Sequence, residues 1–230
     1  MISLRLLALV AFGVVLSGPA LDAQDLSRYR EFELGSSVSS VVTVSGARAA
    51  EVKVVHRRPA MIQELVWRPR FVVRSPGVTA DPVREVAFSF YNERLFRIVV
   101  TYERDRTEGL TNQDLIDALS ATYGVPMIPS ARRADPASRR GEVDESVTVA
   151  QWADPDHRLT LSRGTYPMLF RLELVSTNLD ELAQAAAIEA TRLDNREAPQ
   201  READRLKTET ADALVAQEKA RLTNKATFRP

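Results

Sequence analysis

The chain has 230 residues, with 31 basic and 31 acidic side chains and a formal charge of zero. Hydrophobic residues at 44% and charged residues at 27% supply enough apolar material for a core and exclude compositional disorder. Balanced charge argues against a nucleic-acid or polyanion binder. The absence of cysteine excludes disulfides, thiolate zinc sites, iron–sulfur clusters, thiol catalysis and a lipidated N-terminal cysteine.

Residues 1–23 carry Arg5, then an apolar run from Leu6 to Leu16, then the breakers Ser17, Gly18 and Pro19. Eleven apolar residues fall well short of the roughly 20 that a membrane-spanning helix needs. A short basic start, an apolar middle and a small-residue end is the order of a secretory signal, with cleavage expected after Ala20 or Ala23. The mature chain is then expected to be periplasmic or secreted, with no transmembrane span.

Residues 24–104 and 105–177 read as two related units. At an offset of 74 residues, Gly35, Val38, Val41, Val42 and Ser45 fall on Gly109, Asn112, Leu115, Ile116 and Leu119, and Leu95–Ile98 falls on Leu169–Leu172. The two tryptophans, Trp67 and Trp152, match at offset 85. Loops at 69–83 and after Gly124 absorb the difference of eleven.

In the first unit the spacing of Val38, Val41, Val42 and Ser45 predicts a helix, despite the strand preference of Val and Thr. Strands are expected at 51–56 and 61–67, then a hairpin whose arms alternate through Val86, Phe88, Phe90 and Phe96, Ile98, Val100 across a turn at Asn92 and Glu93. In the second unit Thr111 and Asp114 form a capping box for a helix with Leu115, Ile116 and Leu119 on one face, ended by Gly124 and Pro126. Strands follow at 146–152 and in a second hairpin through Leu159, Leu161, Phe170, Leu172 and Leu174. The Arg-rich segment 129–143 is a loop. The fold class is therefore α+β: two tandem units of helix plus antiparallel sheet that pack on each other, followed by a charged helical tail over residues 178–230. In that tail Leu179, Leu182, Ala186 and Leu193 form a thin apolar stripe, Glu197 stands four residues before Arg201, and Pro199 is expected to break or restart the helix.

Catalytic signatures do not emerge, and neither a metal nor a cofactor is expected. His56 ends a strand, His157 lies in an Asp-Pro-Asp turn, and the carboxylate pairs Glu103/Asp105 and Asp144/Glu145 stand in polar surroundings that would not separate their pKa values. One cluster combines guanidinium forks with aromatic faces: Arg57 and Arg58, then Trp67, Arg68, Arg70 and Phe71. Such mixtures serve recognition of a protein partner or an anionic envelope group. The resulting expectation is a non-catalytic interaction protein of the cell envelope. The alternatives are an envelope hydrolase or glycan-acting enzyme using unidentified carboxylates, and a small-ligand carrier.

Gly109, Thr111, Leu115, Leu119, Gly124, Pro126 and Trp152 form a pattern that resembles the BamE (SmpA/OmlA) type of small envelope module: Gly-x-Thr, a short amphipathic helix, Gly-x-Pro and a strand pair carrying a Trp. Two such units in tandem are similar to the two-lobed β-lactamase-inhibitor-protein fold. The resemblance implies a binding scaffold whose partner is another envelope or secreted protein. Mass spectrometry of the mature protein is expected to find an N-terminus at Leu21 or Gln24; a chain retaining Met1 would refute the signal reading.

Overall fold

The computed structural model describes residues 25–69, 81–129, 146–165, 168–227 and 229. Residues 1–23, Arg70 and Phe71, and most of the 129–143 loop lie outside them. In chain order the elements are β1 (Arg28–Tyr29), β2 (Phe32–Glu33), α1 (Val38–Ser45), a 3₁₀ turn (Ala49–Glu51), β3 (Lys53–His56), β4 (Ile62–Trp67), β5 (Val83–Tyr91), β6 (Arg94–Tyr102), α2 (Arg104–Thr107), α3 (Asn112–Tyr123), β7 (Ser146–Ala153), β8 (His157–Gly164), β9 (Phe170–Ser176) and α4 (Thr177–Thr227). The fold is α+β. Seven strands make one antiparallel sheet in the order β3-β4-β5-β6-β9-β8-β7, so the two sequence halves meet strand to strand rather than as separate lobes.

The local chemistry explains each element. Ser37 caps α1 by accepting from the Ser40 N–H, and Gly46 ends it in the left-handed region at φ 67°. The capping box of α3 is complete, with Thr111 accepting from Asp114 N and Asp114 accepting from Thr111 N at 2.7 Å. Asn92 and Glu93 both have positive φ, 45° and 65°, as a two-residue hairpin turn matched to strand twist requires.

Register across the sheet aligns the halves row by row. Trp67 pairs with Val86, which pairs with Val100; Trp152 pairs with Leu159, which pairs with Leu174. At the join, Val99 pairs with Glu173, its own counterpart at the 74-residue offset, so a local two-fold axis passes through that pair.

The sheet has two different faces, because its strands alternate fully buried and half-exposed residues. On the inner face Leu65, Phe88, Phe90, Ile98, Val100, Trp152, Leu159, Leu161, Leu172 and Leu174 pack with Val41 of α1, Leu115 and Ile116 of α3, and Leu26, Tyr29 and Phe32 of the N-terminal hairpin. This single core spans both halves. On the outer face three rows run across the sheet. One is Glu64, Ser89, Arg97, Val175 and Arg158; the next is Val66, Ala87, Val99, Glu173, Thr160 and Gln151; the third contains Glu85, Thr101, Arg171 and Ser162.

Only the first of these rows is covered, by the start of α4. Asp180 is 3% exposed and bound by Arg97 Nη2 at 2.5 Å and Gln184 Nε2 at 2.7 Å, with Arg158 Nη2 at 4.0 Å. Ala183, with Leu179 beside it, joins Ile62, Phe96 and Tyr91 in a second apolar cluster. The expected stripe is therefore rotated. Ala183, Ala186 and Ala190 are buried while Leu182 is exposed, with Leu179 and Ala186 of the expected stripe still on the sheet side.

Pro199 does not break α4, which continues through it to Thr227. The expected Glu197–Arg201 pair is also replaced: Glu197 binds Arg58 of the β3–β4 turn, and Arg201 donates to the Asp194 carbonyl at 2.9 Å. Beyond Glu197 every described side chain up to Thr227 is exposed, and pairs such as Glu202–Arg205 and Glu218–Arg221 at 2.6 Å lace this polar arm. No described helix is long and apolar enough to cross a membrane.

Two measurements test these contacts. Asp180→Ala is expected to destabilise the chain by about 2 kcal/mol in urea unfolding and to speed tryptic cleavage of α4. That lies below the ~3–5 kcal/mol of a fully buried pair, because Arg97 and Arg158 keep 33% and 42% of their side-chain exposure. Burial pushes the Tyr29 hydroxyl up to about 12 and also raises Tyr102 and Tyr123. The folded state thus favours the neutral phenols. The Tyr29 contribution is complete below pH 10, the ordinary tyrosine value, and is lost as pH rises through about 12, with Tyr102 and Tyr123 acting in the same direction, so unfolding monitored by circular dichroism should accelerate in that alkaline window.

Candidate functional site

The sheet margin carrying β3 and β4 borders a groove of about 1070 Å³. One wall is the C-terminal end of α1 and the following turn, through Ser45, Gly46, Ala47, Arg48, Ala50 and Glu51; the other is the sheet, through Lys53, Glu64, Val66, Trp67 and Arg68. The size suits a ligand or a short chain segment. The groove forms because β3 accompanies β4 only part of the way. Its last registered pair is Lys53 with Glu64, and the chain before Lys53 steps aside into the 3₁₀ turn.

Trp67 plays two parts. Its ring packs edge-on against Phe32 at 5.6 Å between centroids, anchoring it to the core, while it also lines the groove. Its counterpart Trp152 is wholly internal and donates Nε1–H to the Gly124 carbonyl at 2.8 Å. Two ion pairs flank the groove: Arg48 Nε meets Glu51 at 2.8 Å and Arg68 Nη2 meets Glu85 at 3.0 Å. Arg68 nevertheless keeps 72% of its side chain exposed.

The sequence-derived cluster is thus divided. Trp67 and Arg68 share the groove, whereas Arg57 and Arg58 stand at the opposite end of β4, roughly 20 Å away at strand rise. Arg58 is engaged with Glu197, whose carboxyl it holds below its ordinary range, so it docks α4. Arg70 and Phe71 lie outside the described residues. Arg48, Lys53, Glu64 and Val66 belong to the site but were not singled out from sequence. The only signal for them was Gly46 ending α1 just before β3.

The other candidates are structural. Asp154 Oδ1 accepts from the N–H groups of Asp156 and His157 at 2.7 and 2.6 Å, and Oδ2 lies 3.1 Å from His157 Nδ1, which closes the β7–β8 turn. His56 ends β3, and Glu103 stands at the N-cap of α2. Asp180 is the buried carboxylate among the described residues, and it is held by arginines in the α4 dock. Among the described residues no group of three acidic or histidine side chains could hold a metal ion. No protein-family model, curated protein or solved structure matches the chain.

Proposed function

We propose that this is a secreted or periplasmic, non-catalytic protein-binding scaffold built from a duplicated helix-and-sheet unit. The observation that carries the reading is the groove beside Trp67 and Arg68, where a rigid aromatic anchored in the core stands next to an exposed guanidinium. Anchored aromatics and arginines are the side chains that dominate binding energy at protein interfaces: the aromatic presents large contact area with few torsions to freeze, and the arginine a planar multi-donor fork. The second and third rows of the outer sheet face, which α4 leaves uncovered, extend this surface with short side chains such as Ala87, Val99, Thr101, Thr160 and Ser162. Duplication is supported by the row-by-row register and by Val99 facing its own counterpart. The envelope location rests on the leader-like residues 1–23.

A photo-crosslinking residue at Ala50, in the groove, is expected to form adducts with another envelope or secreted protein, whereas one at Ala220 on the free arm is not. Reversing Arg68 and Arg70 to Glu should cut the yield at least tenfold. Absence of adducts at position 50, or adducts indifferent to the reversal, would refute the reading.

A further inference from the structure

We infer that the groove is an open strand edge, and that its occupant is an extended segment of the partner that adds beside β4 by backbone pairing at Val66. The inference rests on the binding role proposed above and names how the partner is held.

The direction of the β4 backbone follows from its bonds. The Met61 carbonyl accepts from Asn92 N at 2.8 Å, so the odd-numbered residues of this regular ladder point their N–H and C=O toward β5. Ile62, Glu64 and Val66 point theirs away from β5. Ile62 and Glu64 face β3, which covers them. Val66 lies one step further along, past the last β3 pair, and its polar backbone opens into the groove among the described residues. Val66 is also 44% exposed.

The other half of the molecule shows what such an edge takes. Gln151 occupies the row position equivalent to Val66: Val66–Ala87–Val99 in one half, Gln151–Thr160–Glu173 in the other. There the outward backbone of Gln151 is fully used by an extended piece of the chain itself. Met127 N donates to the Gln151 carbonyl at 2.7 Å, and Gln151 N donates to the Met127 carbonyl at 2.9 Å. The edge at Val66 has the same orientation and the same row, and no such occupant among the described residues.

A segment seated there takes the ordinary lateral spacing of about 4.8 Å from β4. Its residue opposite Val66 lies on the outer face, where a β-branched or apolar side chain pairs best, and the residues on either side face Ala47 and Trp67. Backbone bonds seat the partner segment, and side-chain contacts with Trp67 and the exposed Arg68 guanidinium select it.

The test is amide exchange by NMR on the ¹⁵N-labelled full chain, with a synthetic peptide of residues 124–129, the segment that occupies the equivalent edge, as the probe. In the free chain the Val66 amide is expected to exchange at least a hundredfold faster than those of Leu65 and Trp67. Millimolar peptide should shift the Val66, Trp67 and Lys53 resonances and slow Val66 exchange at least tenfold. The same peptide N-methylated at its methionine should do neither. A Val66 amide as protected as its neighbours in the free chain, no response at Val66, or an equal response to the N-methylated peptide would overturn the assignment. If groove adducts still form at Ala50 in that event, the binding role stands and only the strand-edge mode fails.

Discussion

Pairing of β6 with β9 is the constraint from which the rest of the architecture follows. Each half has a helix and an antiparallel ribbon too small to bury its own apolar face well. Joining them edge to edge through Val99 and Glu173 removes two exposed strand edges at once and lets one core run beneath both helices. The remaining edges are then β3 and β7, at the two ends of the sheet. The molecule treats them differently. β7 is partly closed by Met127, while β3 stops early and leaves β4 to line a groove.

The outer face is organised by a second interaction, the buried carboxylate of Asp180. A negative charge at 3% exposure is costly unless it is paired. Arg97 from β6 and Arg158 from β8 supply the pairing from strands on both sides of β9, so α4 is held across the junction of the halves. Arg58 holds Glu197 further along the helix. After that contact α4 runs on as a polar arm with ion pairs three and four residues apart. Those pairs contribute a few tenths of a kcal/mol each. The arm and the groove are therefore separate features: the groove lies by the far end of β4, beside Trp67, and the arm leaves past the β3–β4 turn.

Much of the fold was legible from local rules. The capping box at Thr111 and Asp114, the stop at Gly124, the Asn92–Glu93 turn and the two-residue alternation through Phe88 and Ile98 each depend on residues within a few positions of one another. The repeat offsets of 74 and 85 were also readable, because matching sequence demands no knowledge of contacts; in the sheet, Val99 pairs with Glu173, and Trp67 and Trp152 pair with Val86 and Leu159. The candidate site was only half legible. Trp67 and Arg68 line the groove, but Arg58 is turned to α4 because Glu197 arrives from 139 residues away.

Sequence by itself determined the α+β fold class, the order of its main helices and strands (though not the short β1, β2, 3₁₀ turn and α2), and the chemistry its composition excludes, since these follow from propensity, periodicity and residue counts. Tertiary structure alone decided which strand edges are used and which are open among the described residues, that Ala183 and Ala190 of α4 are buried while Leu182 is exposed, and that Pro199 lies within a continuous helix. The physical reason is common to all three. Whether a backbone group is satisfied or a side chain buried depends on neighbours distant in the chain, and periodicity shows which residues share a face without showing what that face meets.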